Sequence, residues 1–166
     1  MTRGRVWFLA AVAALGGFLF GFDTIVINGA EQDIQRLWSL SGQMHGWVVS
    51  SALWGTVVGA LAGGALSDWF GRKRTLQAVG ALYLVSAVWS ALAGSPGEMI
   101  AARLVGGFGV GISTIAAPVY IAEISPADSR GRLTALFQFN IVFGVLAAMT
   151  SNLLLKDVGA NAWRWM

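Results

Sequence analysis

The chain has 166 residues, of which only 11% carry a formal charge, whereas 56% are hydrophobic and the mean hydropathy is +0.67. A soluble globular domain carries about 25% charged residues, and a disordered chain is polar and highly charged, so this composition excludes both classes. The 11 Lys and Arg residues stand in short groups between long apolar runs rather than on one solvated face. This pattern argues against nucleic-acid binding and indicates a membrane protein.

Five apolar runs are long enough to cross a bilayer, which takes about 20 mainly apolar residues. In chain order they are residues 6–27, 47–66, 75–93, 104–122 and 133–155. Arg3 and Arg5 precede the first run, as in a cleaved signal peptide. That run is longer than the usual hydrophobic region of about 7 to 15 residues, so we expect it to be retained. The predicted fold is therefore an all-α integral membrane protein.

Basic residues are distributed unequally between the segments that connect these spans. Seven Lys or Arg residues fall on one predicted side of the membrane and three on the other. Because the cytoplasmic side carries the excess, the N-terminus is predicted to be cytoplasmic. Five crossings put the two ends on opposite sides, and the closing Trp163-Arg164-Trp165-Met166 looks like an interfacial anchor before a sixth helix. The sequence is therefore predicted to be part of a longer protein.

Small residues four positions apart occur in three of the spans. They are Gly17 and Gly21, then Gly55, Gly59 and Gly63, then Gly107 and Gly111. Such stripes let helix backbones approach closely in lipid, where packing drives helix association. The string Gly16-Gly17-Phe18 returns 90 residues later as Gly106-Gly107-Phe108. Two three-helix units would produce this echo, although a chain rich in Gly and Phe also produces such matches by chance.

Two charged residues fall where the membrane makes charge costly. Asp23 lies well inside the first run, where an ionised carboxylate is unfavourable unless it is paired or protonated. Arg103 opens the fourth span, and its side chain is expected at a similar depth. A carboxylate whose cationic partner can approach or withdraw can load and release a proton. The alternatives are an Asp just beyond the helix end and an Arg that reaches out to the membrane surface.

Gln138 and Asn140 are polar residues inside the fifth span. The donors and acceptors of a Gln side chain suit a sugar hydroxyl, whereas a hydrogen bond between helices is the plainer role and the favoured one for Asn140. The absence of Cys and the presence of a single His, His45, argue against a metal site. No metal, cofactor or catalytic group is predicted, and the chain is not expected to be an enzyme.

The predicted loops carry the most specific strings. They are Gly64-Ala65-Leu66-Ser67-Asp68-Trp69-Phe70-Gly71-Arg72-Lys73-Arg74, Pro118-Val119-Tyr120-Ile121-Ala122-Glu123-Ile124-Ser125-Pro126 and Arg130-Gly131-Arg132. The first resembles the G-x-L-[SA]-D-x-x-G-R-[KR]-[KR] signature of the major facilitator superfamily, and the others resemble the P-x-Y-x-x-E-x-[SA]-P and R-G strings of its sugar porters. Together with Arg103 and the terminal string, the resemblance to the sugar porter family covers residues 16–166. Without it, each loop would be a positively charged cytoplasmic turn.

This resemblance implies a role for each matching residue. Asp23 and Arg103 match the proton-coupling acid and its partner, and Phe20 and Gln138 match substrate-binding positions. Charges that latch the cytoplasmic side in the outward-open state are matched at Asp68, Arg72, Arg74, Glu123 and Arg130, with motif glycines at Gly64, Gly71 and Gly131. Trp69 stands where the family often has Arg, so the latch lacks one charge.

The family has twelve helices, so the resemblance implies that residues 1–166 are an N-terminal fragment with five helices of a six-helix half. It implies proton symport of a monosaccharide by alternating access in the plasma or inner membrane. The partners would be the sugar, the proton, the lipid bilayer and the missing C-terminal helices, with no nucleic acid. Five helices cannot enclose a path that forms between two halves, so the fragment alone is expected to be inactive. The alternatives are a facilitative sugar uniporter and a membrane protein that senses sugar, or binds partners, without transport.

Overall fold

A computed structural model describes residues 2–156 and 162–165; Met166, the last residue of the predicted terminal anchor, lies outside them. The described residues form α1 (Arg3–Leu37), α2 (Gly42–Phe70), α3 (Arg72–Leu92), α4 (Pro96–Ile124) and α5 (Arg130–Leu155), and then a short 3-10 turn (Ala162–Arg164). All five α-helices are long and apolar enough to cross a membrane. The predicted all-α membrane fold is thereby confirmed.

Each helix begins before its predicted apolar span, and α1 also continues furthest beyond the end of its span. This helix has 35 residues and runs on to Leu37. At 1.5 Å per residue it is about 52 Å long, which exceeds the ~30 Å hydrocarbon core of a bilayer. Hydropathy does not detect the extra turns because they carry polar residues such as Glu31 and Asp33. Asp23 consequently lies within α1, not beyond its end.

A capping arrangement starts α4 at Pro96, eight residues before the predicted span. The Oγ of Ser95 accepts a hydrogen bond from the N–H of Glu98 at 3.3 Å, and Glu98 Oε2 accepts one from the N–H of Gly94 at 2.7 Å. Proline is favoured in the first turn because the N–H it lacks would have no partner there. Arg103 therefore lies about two turns inside α4 rather than at its start.

Glycines line two close seams, one between α1 and α5 and the other between α2 and α4. At each of these glycines a side chain would collide with backbone atoms of the opposite helix. The pairs are Gly17 with Phe137, Gly21 with Ile141 and Gly144 with Phe18 in the first seam, and Gly107 with Ala52, Gly111 with Thr56 and Gly59 with Phe108 in the second. The glycine stripes of the sequence are thus the surfaces on which the helices meet.

The two seams are related by a constant shift in residue number. The contact of Gly17 with Phe137 corresponds to the contact of Gly107 with Ala52. Gly107 of α4 lies 90 positions after Gly17 of α1, and Phe137 of α5 lies 85 positions after Ala52 of α2. The other two pairs obey the same two shifts. A two-fold rotation that superimposes α1 on α4 and α2 on α5 would also superimpose the α1–α5 seam on the α2–α4 seam, as observed. The echo in the sequence therefore has a structural basis.

Helix α3 packs on α4 and leaves an opening toward α1. The Oγ of Ser86 donates to the carbonyl oxygen of Ala102 at 2.7 Å, and Gly106 leaves the space that Ser86 occupies. The Tyr83 hydroxyl donates to the carbonyl oxygen of Leu19 at 3.0 Å, which ties α3 to α1. The site described next lies in this opening, bordered by the three helices.

Candidate functional site: an ion pair and a cavity within the bundle

Asp23 of α1 and Arg103 of α4 form an ion pair inside the bundle. Asp23 Oδ1 and Arg103 Nη1 are 3.7 Å apart, and the two side chains are 24% and 8% exposed. Each charge offsets the cost of placing the other in a membrane-spanning helix. The separation exceeds the 2.7–3.2 Å range of N–H···O hydrogen bonds, so the attraction does not fix the carboxylate in one geometry. The structure brings together the two residues that the sequence placed at similar depth.

A cavity of about 270 Å³ adjoins this pair. Its walls come from α1, α3, α4 and the short turn after α5. The polar side chains on the walls are those of Asp23, Tyr83, Ser86, Ser90, Arg103 and Arg164. The sequence analysis did not identify the three that belong to α3. Their spacing of i, i+3 and i+7 could have revealed them, because it places them on one face of a helix.

The turn Ala162–Arg164 lies against the cavity at the end where α3 finishes. Trp163 is 5% exposed, and its ring meets that of Trp38 edge-on with 5.7 Å between the centroids. The guanidinium of Arg164 stacks 4.2 Å above the Trp163 ring, and its Nη1 donates to the carbonyl oxygen of Ala91 at 2.6 Å. Trp163 is therefore part of the bundle interior and not the interfacial anchor that the sequence suggested, while Trp165 remains 74% exposed.

A second group of charges lies where α2 ends and α3 begins. Arg72 contacts Asp68 directly, and its Nε donates to Glu123 Oε1 at 3.2 Å. Gly71 separates α2 from α3 with a φ of +82°, a value that favours glycine because it has no Cβ. We call Asp68, Arg72 and Glu123 the helix-end cluster.

Two other charges of the predicted latch stand apart from the helix-end cluster. Arg130 Nη2 lies 3.5 Å from the carbonyl oxygen of Ser125, and Arg74 is exposed without an ion-pair partner among the residues described. Arg3 forms a 2.7 Å ion pair with Asp128. Sequence reasoning missed this pair because its members are 125 positions apart and belong to no common motif.

The predicted substrate residues do not meet around the ion pair. Phe20 is half-buried and precedes Asp23 by three positions, which puts both on one face of α1. Gln138 is exposed on α5 and is not among the residues that line the cavity. Side chains added at the motif positions Gly64 and Gly131 would meet nothing within 4 Å, so packing does not explain glycine there.

These features define the class of protein. The fold is that of the N-terminal half of a major facilitator superfamily transporter. It resembles a solved proton:xylose symporter of that superfamily with a TM-score of 0.89 and 32% identity, over 99% of this chain and 42% of the other. It resembles a partially occluded inward-open structure of the xylose transporter XylE from E. coli with a TM-score of 0.90 and 32% identity, over 96% of this chain and 45% of the other.

The sequence profile of the family described as "Sugar (and other) transporter" matches residues 9–166, so the chain belongs to this family. Among curated proteins it is 42% identical to the glucose transport protein of Synechocystis sp. over 97% of this chain and 37% of that protein. It is 39% identical to the arabinose-proton symporter of Bacillus subtilis, over 99% of this chain and 37% of the symporter. The chain thus spans a little over a third of the length of these relatives.

Proposed function

We propose that the intact gene product moves a monosaccharide across the membrane together with a proton, by alternating access. The observation that carries the proposal is the Asp23–Arg103 ion pair, whose atoms are 3.7 Å apart within helices of membrane-spanning length. Relatives whose names include arabinose-proton symporter and galactose-proton symporter support the choice of sugar and proton as the two substrates.

Proton loading follows from the electrostatics of the pair. While Arg103 stands beside Asp23, the ionised carboxylate is stabilised by the adjacent positive charge. If α1 and α4 move apart, the carboxylate loses that partner in a region where an isolated charge is costly. Uptake of a proton then removes the cost, and return of Arg103 releases the proton. A conformational change of the bundle is thereby coupled to proton movement.

Phe20 and Gln138 are proposed to contact the sugar. Phe20 lies one helical turn from Asp23 on the same face of α1, so a sugar beside its ring would be close to the proton site. Gln138 is exposed on α5, which leaves its amide group accessible to a ligand hydroxyl. The placement of Phe20 supports the proposal that sugar and proton bind near one another.

The charges Asp68, Arg72, Arg74, Glu123 and Arg130 are proposed to latch the cytoplasmic end of the protein. Three of them already form the helix-end cluster, which joins α2, α3 and α4. Arg74 and Arg130 remain for contacts with the other half of a twelve-helix protein. We infer a cytoplasmic N-terminus, because basic residues concentrate at this end of the bundle. We also propose a location in the plasma or inner membrane, which the resemblance to sugar porters implies.

Transport by the Asp23→Asn variant of the intact gene product tests the proton role. Proteoliposomes with an imposed pH gradient are expected to lose uphill sugar accumulation while sugar exchange down its gradient persists, since the amide cannot carry a proton. Asp128→Asn is the matched control, because its carboxylate pairs with Arg3 at an exposed position. Undiminished concentrative uptake by Asp23→Asn would contradict the proposal.

The same assay separates the alternatives. A uniporter would carry sugar without alkalinising the medium on sugar addition, and a sensor would bind sugar without flux. Residues 1–166 alone are expected to give no uptake, because the transport path of such proteins lies between two halves.

A further inference from the structure

Two side chains of α3 donate hydrogen bonds to the backbones of the two helices that carry the ion pair. The Tyr83 hydroxyl donates to the carbonyl oxygen of Leu19 in α1 at 3.0 Å. The Ser86 hydroxyl donates to the carbonyl oxygen of Ala102 in α4 at 2.7 Å. Because Tyr83 and Ser86 are three positions apart, they lie on one face of α3. A single turn of α3 is therefore bonded to both α1 and α4.

The two accepting carbonyl groups lie close to the charged residues along the chain. Leu19 precedes Asp23 by four positions, so its carbonyl is also the one that accepts from the backbone N–H of Asp23 within α1. Ala102 is the residue directly before Arg103. Each bond from α3 thus attaches to the helical turn that carries one member of the pair.

The separation of Asp23 and Arg103 is not set by the pair itself. Their nearest charged atoms are 3.7 Å apart, which is longer than a hydrogen bond. The glycine seams do not set it either, since one joins α1 to α5 and the other joins α2 to α4. Helices α1 and α4 also share apolar contacts, but these are non-directional, whereas a hydrogen bond constrains both distance and direction.

Ser86 fits closely into its place on α4. It is 8% exposed, and a side chain at Gly106 would collide with its Oγ, so this glycine leaves room for the bond to Ala102. A buried hydroxyl group needs such a partner, because it has lost its bonds to water. Tyr83 is half-buried, and its longer side chain spans the distance from α3 to α1.

We propose that Tyr83 and Ser86 are positioning residues, which set the separation of Asp23 and Arg103 by connecting α1 to α4 through α3. Loss of either bond lets α1 and α4 shift relative to one another, and the attraction between the two charges weakens as their distance grows. The inference deepens the proposed function, because it identifies the residues that hold the proton-coupling pair. It rests on that function only for its consequence in transport.

The strength of the Asp23–Arg103 interaction can be measured without a transport assay. A cycle of Asp23→Asn, Arg103→Met and the double variant of the intact gene product, unfolded in detergent micelles, gives the coupling between the two positions. The cycle is then repeated in a protein with Tyr83→Phe and Ser86→Ala, which removes two hydroxyl groups. The coupling should fall by about one third or more, which is the loss that Coulomb's law gives when the separation grows from 3.7 Å to about 5.5 Å.

Tyr120→Phe combined with Ser51→Ala is the matched control, since it removes the same two groups elsewhere. Tyr120 packs on another apolar cluster, 17 positions after Arg103 on α4, and Ser51 donates to Val48 of its own helix. The coupling in this control protein should equal that of the parent. A coupling in the Tyr83→Phe, Ser86→Ala protein that is as strong as in the parent, or stronger, would overturn the proposal.

Gly106→Ala tests the Ser86 bond from the opposite helix if the first combination does not fold. The added methyl group displaces the Ser86 hydroxyl, so the coupling of the pair should again fall. Gly80→Ala on α3 is its control, because a methyl group there would meet nothing within 4 Å. Equal coupling in these two proteins would contradict a positioning role for Ser86.

Transport supplies a second measurement. In proteoliposomes with an imposed pH gradient, the Tyr83→Phe, Ser86→Ala protein should accumulate less sugar while its exchange of sugar down a gradient stays near the parental rate. An equal loss of both activities would indicate a general structural defect and would count against positioning. If the cycle shows a weakened pair while Asp23→Asn retains uphill accumulation, the positioning role stands and the proton role fails. If Asp23→Asn abolishes accumulation while the coupling is unchanged in the Tyr83→Phe, Ser86→Ala protein, the proton role stands and positioning by α3 fails.

Discussion

The protein holds two groups of paired charges whose surroundings differ. Asp23 and Arg103 lie inside the bundle with side chains 24% and 8% exposed, whereas Asp68 and Glu123 of the helix-end cluster are 71% and 50% exposed. Water can solvate an exposed charge when its partner leaves, so surface ion pairs contribute little net stability. Asp23 and Arg103 are much less exposed, so water compensates less for the loss of either partner. Separating Asp23 from Arg103 is therefore costly, whereas the charges of the helix-end cluster can lose or change partners at little cost.

This difference suits the two proposed roles. A latch must open and close repeatedly, which costs little free energy when its charges are solvated by water in the open state. A coupling pair must make separation unfavourable unless a proton compensates, which requires a site shielded from water. The same types of side chain can serve both purposes because burial alone changes the outcome.

The largest effect is expected on removing one member of the interior pair. Arg103→Met should lower the free energy of unfolding by about 3–5 kcal/mol, because it leaves Asp23 charged and unpaired in the bundle. Adding Asp23→Asn should restore part of this loss by removing the stranded carboxylate. Unfolding in detergent micelles at neutral pH measures both. An equal loss in the single and double variants would mean that the pair is not coupled.

A smaller effect is expected at the glycine seam that positions the interior pair. Gly21 lies two residues before Asp23, and a side chain there would collide with the backbone carbonyl of Ile141. Gly21→Ala should therefore cost about 1–3 kcal/mol of stability through overpacking. Gly64→Ala, next to the helix-end cluster, is the control, since its added methyl group would meet nothing within 4 Å. If the two variants unfold alike in the same assay, the seam tolerates movement and does not fix Asp23.

The smallest effect is expected for the helix-end cluster. Asp68→Asn should lower the unfolding temperature less than either change above, because Asp68 is 71% exposed and Arg72 keeps Glu123 as a partner. The difference from the parent should vanish in about 1 M salt, where the Debye length falls to about 3 Å. The Arg103→Met difference should persist there. A salt-resistant effect of Asp68→Asn would remove the distinction between the two groups.

Much of the fold could be predicted from the sequence because hydropathy and glycine spacing are local properties. All five helices were located, and their polar ends were missed for a physical reason. The last turns of α1 are polar, and the first turn of α4 is set by the cap around Ser95 and Glu98 rather than by hydrophobicity. The positions of Asp23 and Arg103 within their helices depended on these ends.

The candidate site was predictable only in part. The pairing of Asp23 with Arg103 follows from their similar depth, which topology supplies. The spacing of Tyr83, Ser86 and Ser90 shows that they share a face of α3, but the cavity could not be found in this way, because it depends on how α3 packs against α1 and α4. The burial of Trp163 was likewise missed, since its sequence neighbours suggest a residue at the membrane surface.

The sequence by itself determined that this is a membrane protein of five helical spans, where its few charges stand, and which helix faces can pack closely, since composition and periodicity act over a few turns. Only the tertiary structure decided that α1 packs on α5 while α2 packs on α4, that two charged atoms of residues 80 positions apart lie 3.7 Å from each other, and that Trp163 is buried against α1 and α4. These outcomes depend on contacts between distant parts of the chain. Hydropathy and glycine spacing restrict which helix faces can meet, but they do not determine which helices do meet.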